Sequence, residues 1–294
     1  MNASNVSSDS VSLTPLQQQV IAIAHQASQA IMAVYTESDG PLEVMNKADD
    51  SPLTRADIAA HKVIANGLAQ LTPSWPVLSE ESPEASILDR RKWETFWMVD
   101  PLDGTRDFIR HNGEFSVNIA LVERGVVTLA VIEAPAQNEG YVAVKGGPAH
   151  AYRMSEHLPF YQDLHTIQVA DWQPDETMVL FGSRSHGRNR PADWYASLPP
   201  HEQRLMGSSL KFCEIAKGQA HLYVRQGPTS EWDTAAGQLV LECAGGVVVA
   251  LSEQGVGQPL RYNQRNTLIN PGFLACARSV FSRVQNAVKK HTAL

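Results

Sequence analysis

Apolar positions along this chain follow two rhythms, one before and one after roughly residue 165. From Pro15 to Tyr35 they recur at helical spacing, with Val20, Ile21, Ala24, Ala27, Ile31 and Val34 on one face, which predicts an amphipathic helix opening the fold. Residues 36–53 are irregular and polar, with a short strand expected near LEVM. Thr54 then starts a second helix, TRADIAAHKVIANGLAQL, closed by Thr72-Pro73. PVLSEES at 76–82 reads as a short strand running into acids, and FWMVD at 96–100 as a buried strand. FSVNIALVERGVVTLAVIEAP at 115–135 has the form of a hairpin joined by Glu123-Arg124-Gly125, and GYVAVKGG at 140–147 adds a further strand. Two helices followed by sequential strands predict an α+β lobe with an antiparallel sheet.

The second rhythm alternates. MVLFGSRSH is strand then loop, a helix is expected over 191–198, and SLKFCEIAKGQA is helical in period. LYVR is a strand, WDTAAGQLVLECAG a helix stopped by Gly-Gly, and GVVVAL a strand. The expected division is a loose Ser-rich tail over 1–14, an α+β lobe over 15–164 carrying most of the acids, and an α/β lobe over 165–294.

Composition narrows the function. The 294 residues suffice for two lobes, and 43% hydrophobic with 19% charged residues is the profile of a soluble globular protein. A net charge of -7 argues against a nucleic-acid partner but leaves a small anionic substrate open, because bound cations reverse a local field. Cys213, Cys243 and Cys276 are far apart and lack a C-x-x-C spacing, so neither a disulfide framework nor a zinc site is expected, and a reducing, cytoplasmic setting fits. No apolar run reaches the roughly 18 residues of a membrane span, and peripheral attachment to the inner face of a membrane is left open, as is the oligomeric state. The ten histidines show no H-E-x-x-H, and neither a P-loop nor a G-x-S-x-G elbow occurs.

The chemistry gathers at WMVDPLDGTRDF, residues 97–108. Pro101 is expected to end the strand, and Gly104 to relieve a tight turn before a helix. In such a turn positions i and i+3 share a side, so Asp100 and Asp103 converge. Two unpaired carboxylates repel, and a hard divalent cation such as Mg²⁺ removes the conflict. The backbone N–H groups of Gly104 and Thr105 then suit a phosphate. The plainer alternative, that Asp103 caps the helix and Asp100 merely closes the strand, stands equally open. The D-x-x-D spacing is out of register for the D-x-D-G-T turn of phosphatases that use a nucleophilic Asp. Glu80 and Glu81 follow a strand in SEES, and Asp233 opens the helix WDTAAG, where it could equally be a cap. Thr54-x-x-Asp57 reads as a capping box.

Together WMVDPLDGTRDF and WDTAAGQLVLECAGG, in this order and separation, resemble the magnesium-dependent, lithium-sensitive phosphatase superfamily that includes inositol monophosphatase. NGEFSVNIALVERG, SRSH, GSSLKFCEIAKGQAHLYVR and NPGF at 270–273 are closer still to its CysQ-type 3'(2'),5'-bisphosphate nucleotidase branch. The resemblance covers about residues 15–275, with Arg106-Asp107 standing where Lys-Glu is common. It implies a layered αβαβα sugar-phosphatase fold with two lobes. It implies that Glu80, Asp100, Asp103, Asp233 and the Leu102 carbonyl ligate two to three Mg²⁺ ions. Asp57 and Thr105 would orient the attacking water, and the backbone at Gly104 and Thr105 would hold the scissile phosphate. Li⁺ would inhibit.

The resemblance further implies adenosine 3',5'-bisphosphate as substrate, cleaved to AMP and phosphate by direct attack of water, in the service of sulfur metabolism. A second phosphate needs partners beyond the metals, and His186, Ser208, Lys211 and Arg225 are the candidates. Each has a plainer reading: a strand end for His186, a helix cap for Ser208, solvated cations for Lys211 and Arg225. An inositol or sugar-phosphate monoesterase is the alternative with the same chemistry. A metal and nucleotide sensor without turnover is the alternative from another class.

Overall fold

The computed structural model describes residues 12–37, 44–46, 52–83, 87–183, 193–252 and 255–292. Of the tail expected over 1–14, residues 1–11 lie outside these; Leu13 is buried and Thr14 caps the first helix. Helix α1 (Pro15–Tyr35) starts at a capping box in which Gln17 N–H donates to Thr14 Oγ1 and Thr14 N–H to Gln17 Oε1. Strands β1 (Val44–Asn46) and β2 (Pro52–Thr54) pair antiparallel and lead into helix α2 (Arg55–Leu71).

Next come β3 (Val77–Ser79), β4 (Thr95–Asp103), the short helix α3 (Thr105–Ile109), β5 (Ser116–Glu123), β6 (Val126–Ala134), β7 (Glu139–Val144), β8 (Ala149–Met154) and β9 (Tyr161–Ile167). These strands form one seven-stranded sheet in chain order, antiparallel except where β3 runs parallel to β4. The β5–β6 turn places Arg124 and Gly125 both at positive φ, the geometry a tight two-residue hairpin demands.

The chain continues through β10 (Met178–Ser183), β11 (His201–Met206), α4 (Leu210–Ala216), β12 (Leu222–Arg225), α5 (Trp232–Cys243), β13 (Val247–Ser252), β14 (Gly255–Pro259), β15 (Phe273–Cys276) and α6 (Arg278–Thr292). These strands make a six-stranded mixed sheet in the order β11-β10-β12-β15-β13-β14. The helix expected over 191–198 is a 3₁₀ turn at Asp193–Ser197, with 191–192 outside the described residues.

Alternation along β4, β5 and β6 divides the core. Trp97, Val99, Ile119 and Val131 pack with α1 and α2, while Phe96, Met98, Ala120 and Ile132 pack with α4, α5 and the second sheet. The layers therefore run α1/α2, seven-stranded sheet, α4/α5, six-stranded sheet, α6, the expected αβαβα arrangement. Among the described residues no helix is long and apolar enough to cross a membrane. Cys213, Cys243 and Cys276 are all unpaired.

Candidate active site

Strand β4 does not end at Pro101 as the sequence suggested; it continues to Asp103 across a bulge. Asp100 pairs with Asn118 and Asp103 with Ser116, so β4 carries one more residue than β5 over that interval. Pro101 has no N–H for the ladder, and a bulge is where a sheet accommodates it. Strict alternation would send Asp100 and Asp103 to opposite faces. The extra residue returns both to the α4/α5 side. Their convergence thus comes from a strand bulge rather than from an i, i+3 turn. Gly104 follows at φ +90, and a Cβ there would stand 2.8 Å from the Glu114 carbonyl oxygen. Gly104, not Asp103, is the N-cap of α3.

Asp233 enters from the first turn of α5. One carboxylate oxygen from each of Asp100, Asp103 and Asp233 lies within 4.8 Å of the others. Burial pushes Asp100 well above the ordinary carboxylate range, and the neighbouring Glu80, Asp103 and Asp233 push it further. Asp233 is raised in the same way, by burial and then by Asp103 and Glu80. Asp103 is also raised by burial, against the opposing pull of Ser209, Lys211 and Asn118. Glu80 follows β3, donates its backbone N–H to the Val99 carbonyl at 3.1 Å and lines the same cleft. Mutually repelling acids with an oxygen-only donor set fit a hard divalent cation. The Leu102 carbonyl accepts from the Thr105 hydroxyl at 3.2 Å, at the edge of this cluster.

Asp57 caps α2 and also reaches Thr105, so its two sequence readings are compatible. Its Oδ2 accepts from Thr54 N–H at 2.7 Å and from Thr54 Oγ1 at 2.6 Å, closing the capping box of α2. Its Oδ1 lies 3.2 Å from Thr105 Oγ1. Burial pushes its pKa up to about 6, against the Thr54 hydrogen bonds that lower it.

Asp103, Asp233 and Glu80 open into a cleft. Lys211 and Arg225 line it, and neither is a solvated surface cation: they are 4% and 2% exposed. Lys211 Nζ donates to Ser208 O at 2.6 Å and Met206 O at 3.2 Å and sits 5.0 Å from the Tyr223 ring centroid. Burial pushes its pKa down to about 8, which leaves it protonated at neutral pH. Arg225 donates from Nε to Gly227 O and from Nη2 to Pro228 O, at 3.2 and 2.7 Å, which fixes the plane of its guanidinium. Ser208 lines the cleft at φ +47, with Leu210 N–H 3.4 Å from its hydroxyl. His186 lies outside the described residues.

A model of the inositol monophosphatase family matches residues 12–292. The chain belongs to that family. It is 46% identical over 255 residues to the 3'(2'),5'-bisphosphate nucleotidase CysQ of Escherichia coli strain K12, covering 87% of this chain and 97% of that protein. The CysQ of Aggregatibacter actinomycetemcomitans is 35% identical, covering 89% and 92%. The crystal structure of CysQ from Bacteroides thetaiotaomicron, a bacterial member of the family, superposes with a TM-score of 0.74 at 36% identity, covering 90% of this chain and 97% of that one.

Around the family's acidic motifs the structure adds residues the sequence did not single out. Ser209 N–H and Oγ both donate to Asp103 Oδ2 at 2.6 Å. Glu114 Oε2 accepts from Gly207 N–H at 2.7 Å, tying the segment before α4 to the loop before β5. Gly207 is packed so closely that a Cβ would fall 2.4 Å from Asp107 Oδ2. Tyr223 and Phe273 give the cleft an apolar wall. Only the Gly207-Ser208-Ser209 run, small residues before a helical pattern, marked this strap in the sequence.

Proposed function

We propose that this protein hydrolyses the 3'-phosphate of adenosine 3',5'-bisphosphate to give AMP and phosphate, as a 3'(2'),5'-bisphosphate nucleotidase using Mg²⁺. The observation that carries the reading is one cleft holding both a convergent carboxylate cluster and two desolvated cations, in a chain 46% identical to a bisphosphate nucleotidase. A monoester with one phosphate needs only the first feature; a second phosphate on the same molecule uses the other.

Asp100, Asp103, Asp233, Glu80 and the Leu102 carbonyl would hold the magnesium ions. When bound, these would supply Lewis-acid stabilisation of the transferring phosphoryl group and a more acidic water. Thr105 Oγ1 lies 3.2 Å from both Asp57 Oδ1 and Leu102 O, so its one proton is engaged and its lone pairs accept a hydrogen bond from the attacking water. Asp57, ionised above about pH 6, orients that hydroxyl and draws the proton away as the phosphorus–oxygen bond forms. The turn at Gly104 and Thr105 receives the scissile phosphate, because no side chain projects at Gly104. Lys211 and Arg225 bind the 5'-phosphate, with their donors pre-ordered by backbone carbonyls. The bond to the 3'-oxygen breaks with its electron pair on that oxygen, which takes a proton from solvent, and AMP leaves with a free 3'-hydroxyl. The three unpaired cysteines are in keeping with a reducing cytoplasm.

The test is phosphate release from a panel of adenosine 3',5'-bisphosphate, inositol 1-phosphate and sugar phosphates, with and without Mg²⁺. The nucleotide is expected to be hydrolysed fastest, and only with Mg²⁺. Faster release from inositol 1-phosphate would overturn the substrate assignment.

A further inference from the structure

Asp103 and Asp233 arrive from different parts of the fold, one on a bulge of the seven-stranded sheet and one on α5. Ser209 makes hydrogen bonds to both segments. Its hydroxyl stands 2.6 Å from Asp103 Oδ2 and 2.7 Å from the Asp233 carbonyl oxygen. Asn118 Nδ2, from the strand beside the bulge, donates to Ser209 Oγ at 2.9 Å and reaches Asp103 Oδ2 at 3.3 Å. Ser209 is 1% exposed, so this arrangement is shielded from competing water.

The placement runs against local preference. Ser209 is the N-cap of α4, where a serine hydroxyl ordinarily accepts from the first turn of its own helix, yet here it makes no such bond. The hydroxyl is committed to the acids instead. Asp103 Oδ2 then receives Ser209 N–H and Asn118 Nδ2–H and shares the one Ser209 hydroxyl proton with the Asp233 carbonyl, which leaves Oδ1 as the oxygen with capacity for another partner.

We propose that Ser209 is a positioning residue for the cation site: its hydroxyl clamps the Asp103 side chain and the backbone at Asp233 at a fixed separation. It touches no reacting atom. Its hydrogen bonds fix which oxygen of Asp103 turns toward the cluster, as outer partners of metal ligands do elsewhere. The inference rests on the Mg²⁺ reading above, and the test separates the two.

Mg²⁺ binding is measured by calorimetry on the full-length protein stripped with EDTA and dialysed, alongside melting temperature in EDTA. Ser209→Ala keeps the backbone N–H and removes only the hydroxyl. The Mg²⁺ dissociation constant is expected to rise about tenfold, with the EDTA melting temperature little changed. Ser209→Thr restores the hydroxyl and should bring the constant back to within about threefold of wild type. Wild-type protein that binds no Mg²⁺ would overturn the metal reading itself. Wild type that binds, with Ser209→Ala binding equally well, would overturn only the role of Ser209. So would a Ser209→Thr variant as weak as Ser209→Ala, since that assigns the effect to packing.

Discussion

Glu133 and the acids around Asp100 lie on opposite faces of the seven-stranded sheet, and they resolve the same electrostatic problem differently. Glu133, on β6, turns toward α1 and is fully buried. Ser28 Oγ donates to its Oε2 at 2.7 Å and Tyr152 Oη to its Oε1 at 3.0 Å. Burial pushes its pKa up to about 8, so at neutral pH it is mostly a neutral acid inside a satisfied network. Asp100 and Asp103 turn toward α5, where they meet Asp233 and Glu80. Protonating one member does not satisfy that group, because each carboxyl still faces other carboxyls. A raised pKa therefore does not mark a functional site by itself; convergence of several acids on an open cleft does.

The contrast is broken most directly at Asp233. Asp233→Asn is expected to lower kcat/KM for every phosphate ester by about 10⁴, or about 5 kcal/mol of transition-state stabilisation. The companion change Asp100→Asn should raise the melting temperature measured in EDTA, since it removes repulsion that only a cation offsets. Phosphate release and thermal melting check the pair. Retention of more than a tenth of wild-type activity by Asp233→Asn would dissolve the distinction between the two faces.

Glu133→Gln should do the opposite. A carboxyl whose folded pKa lies near 8, against an ordinary 4.5, makes the folded state bind the extra proton between those values. The stability that Glu133 contributes is therefore fully present below about pH 4.5 and is lost as pH rises toward 8, by roughly 3–5 kcal/mol in all. Glutamine cannot ionise, so the variant should lose this slope, match wild type to within about 1 kcal/mol near pH 5 and exceed it at pH 8. Activity should be unchanged. Urea melts across that range, with activity assays beside them, decide the matter.

Smaller still is the effect expected within the cleft itself. Lys211→Met keeps most of the volume against Tyr223 and removes the charge. It should lower kcat/KM for adenosine 3',5'-bisphosphate about 100-fold, or about 2.7 kcal/mol, and that for inositol 1-phosphate less than about threefold. Equal losses would place Lys211 with the acids as part of the common machinery rather than with the second phosphate.

How much of this was legible follows from which contacts are local. The helix over 15–35, the Thr54–Asp57 capping box and the 115–135 hairpin were read correctly because cap, period and turn all sit within a few residues. The acids at 80, 100, 103 and 233 were legible as motifs, but their approach depends on a bulge that no single-strand pattern reveals. β15 inserts between β12 and β13 from far along the chain, so a plain α/β alternation did not anticipate the mixed sheet. β11, HEQRLM, is exposed over residues 201–205 and lacks the apolar alternation that would announce a strand. Ser209 drew no notice in the sequence, where only its neighbour Ser208 was considered, because its partners Asp103 and Asp233 lie 106 residues upstream and 24 downstream.

Asp57 stands between the two carboxyl types, and it sharpens the comparison with the smallest expected effect. Like Glu133 it is held by hydroxyls; like Asp100 it is raised further by neighbouring carboxyls, Glu80 among them. Thr54 Oγ1, 2.6 Å from Asp57 Oδ2, lowers a pKa that burial has raised to about 6. Thr54→Ala removes that donor and leaves the Thr54 backbone N–H bond at 2.7 Å in place. The variant should lose about 1 kcal/mol of stability through the weakened cap. Its Asp57 should protonate at higher pH, and because the ionised form is the one that holds Thr105, activity fails earlier as pH falls. The acid limb of the kcat/KM profile is therefore expected to move upward by about half a pH unit, with Thr54→Ser restoring it. An unmoved limb with the same loss of stability would make Asp57 a cap of α2 alone, on the side of Glu133 rather than of the acids at 100, 103 and 233.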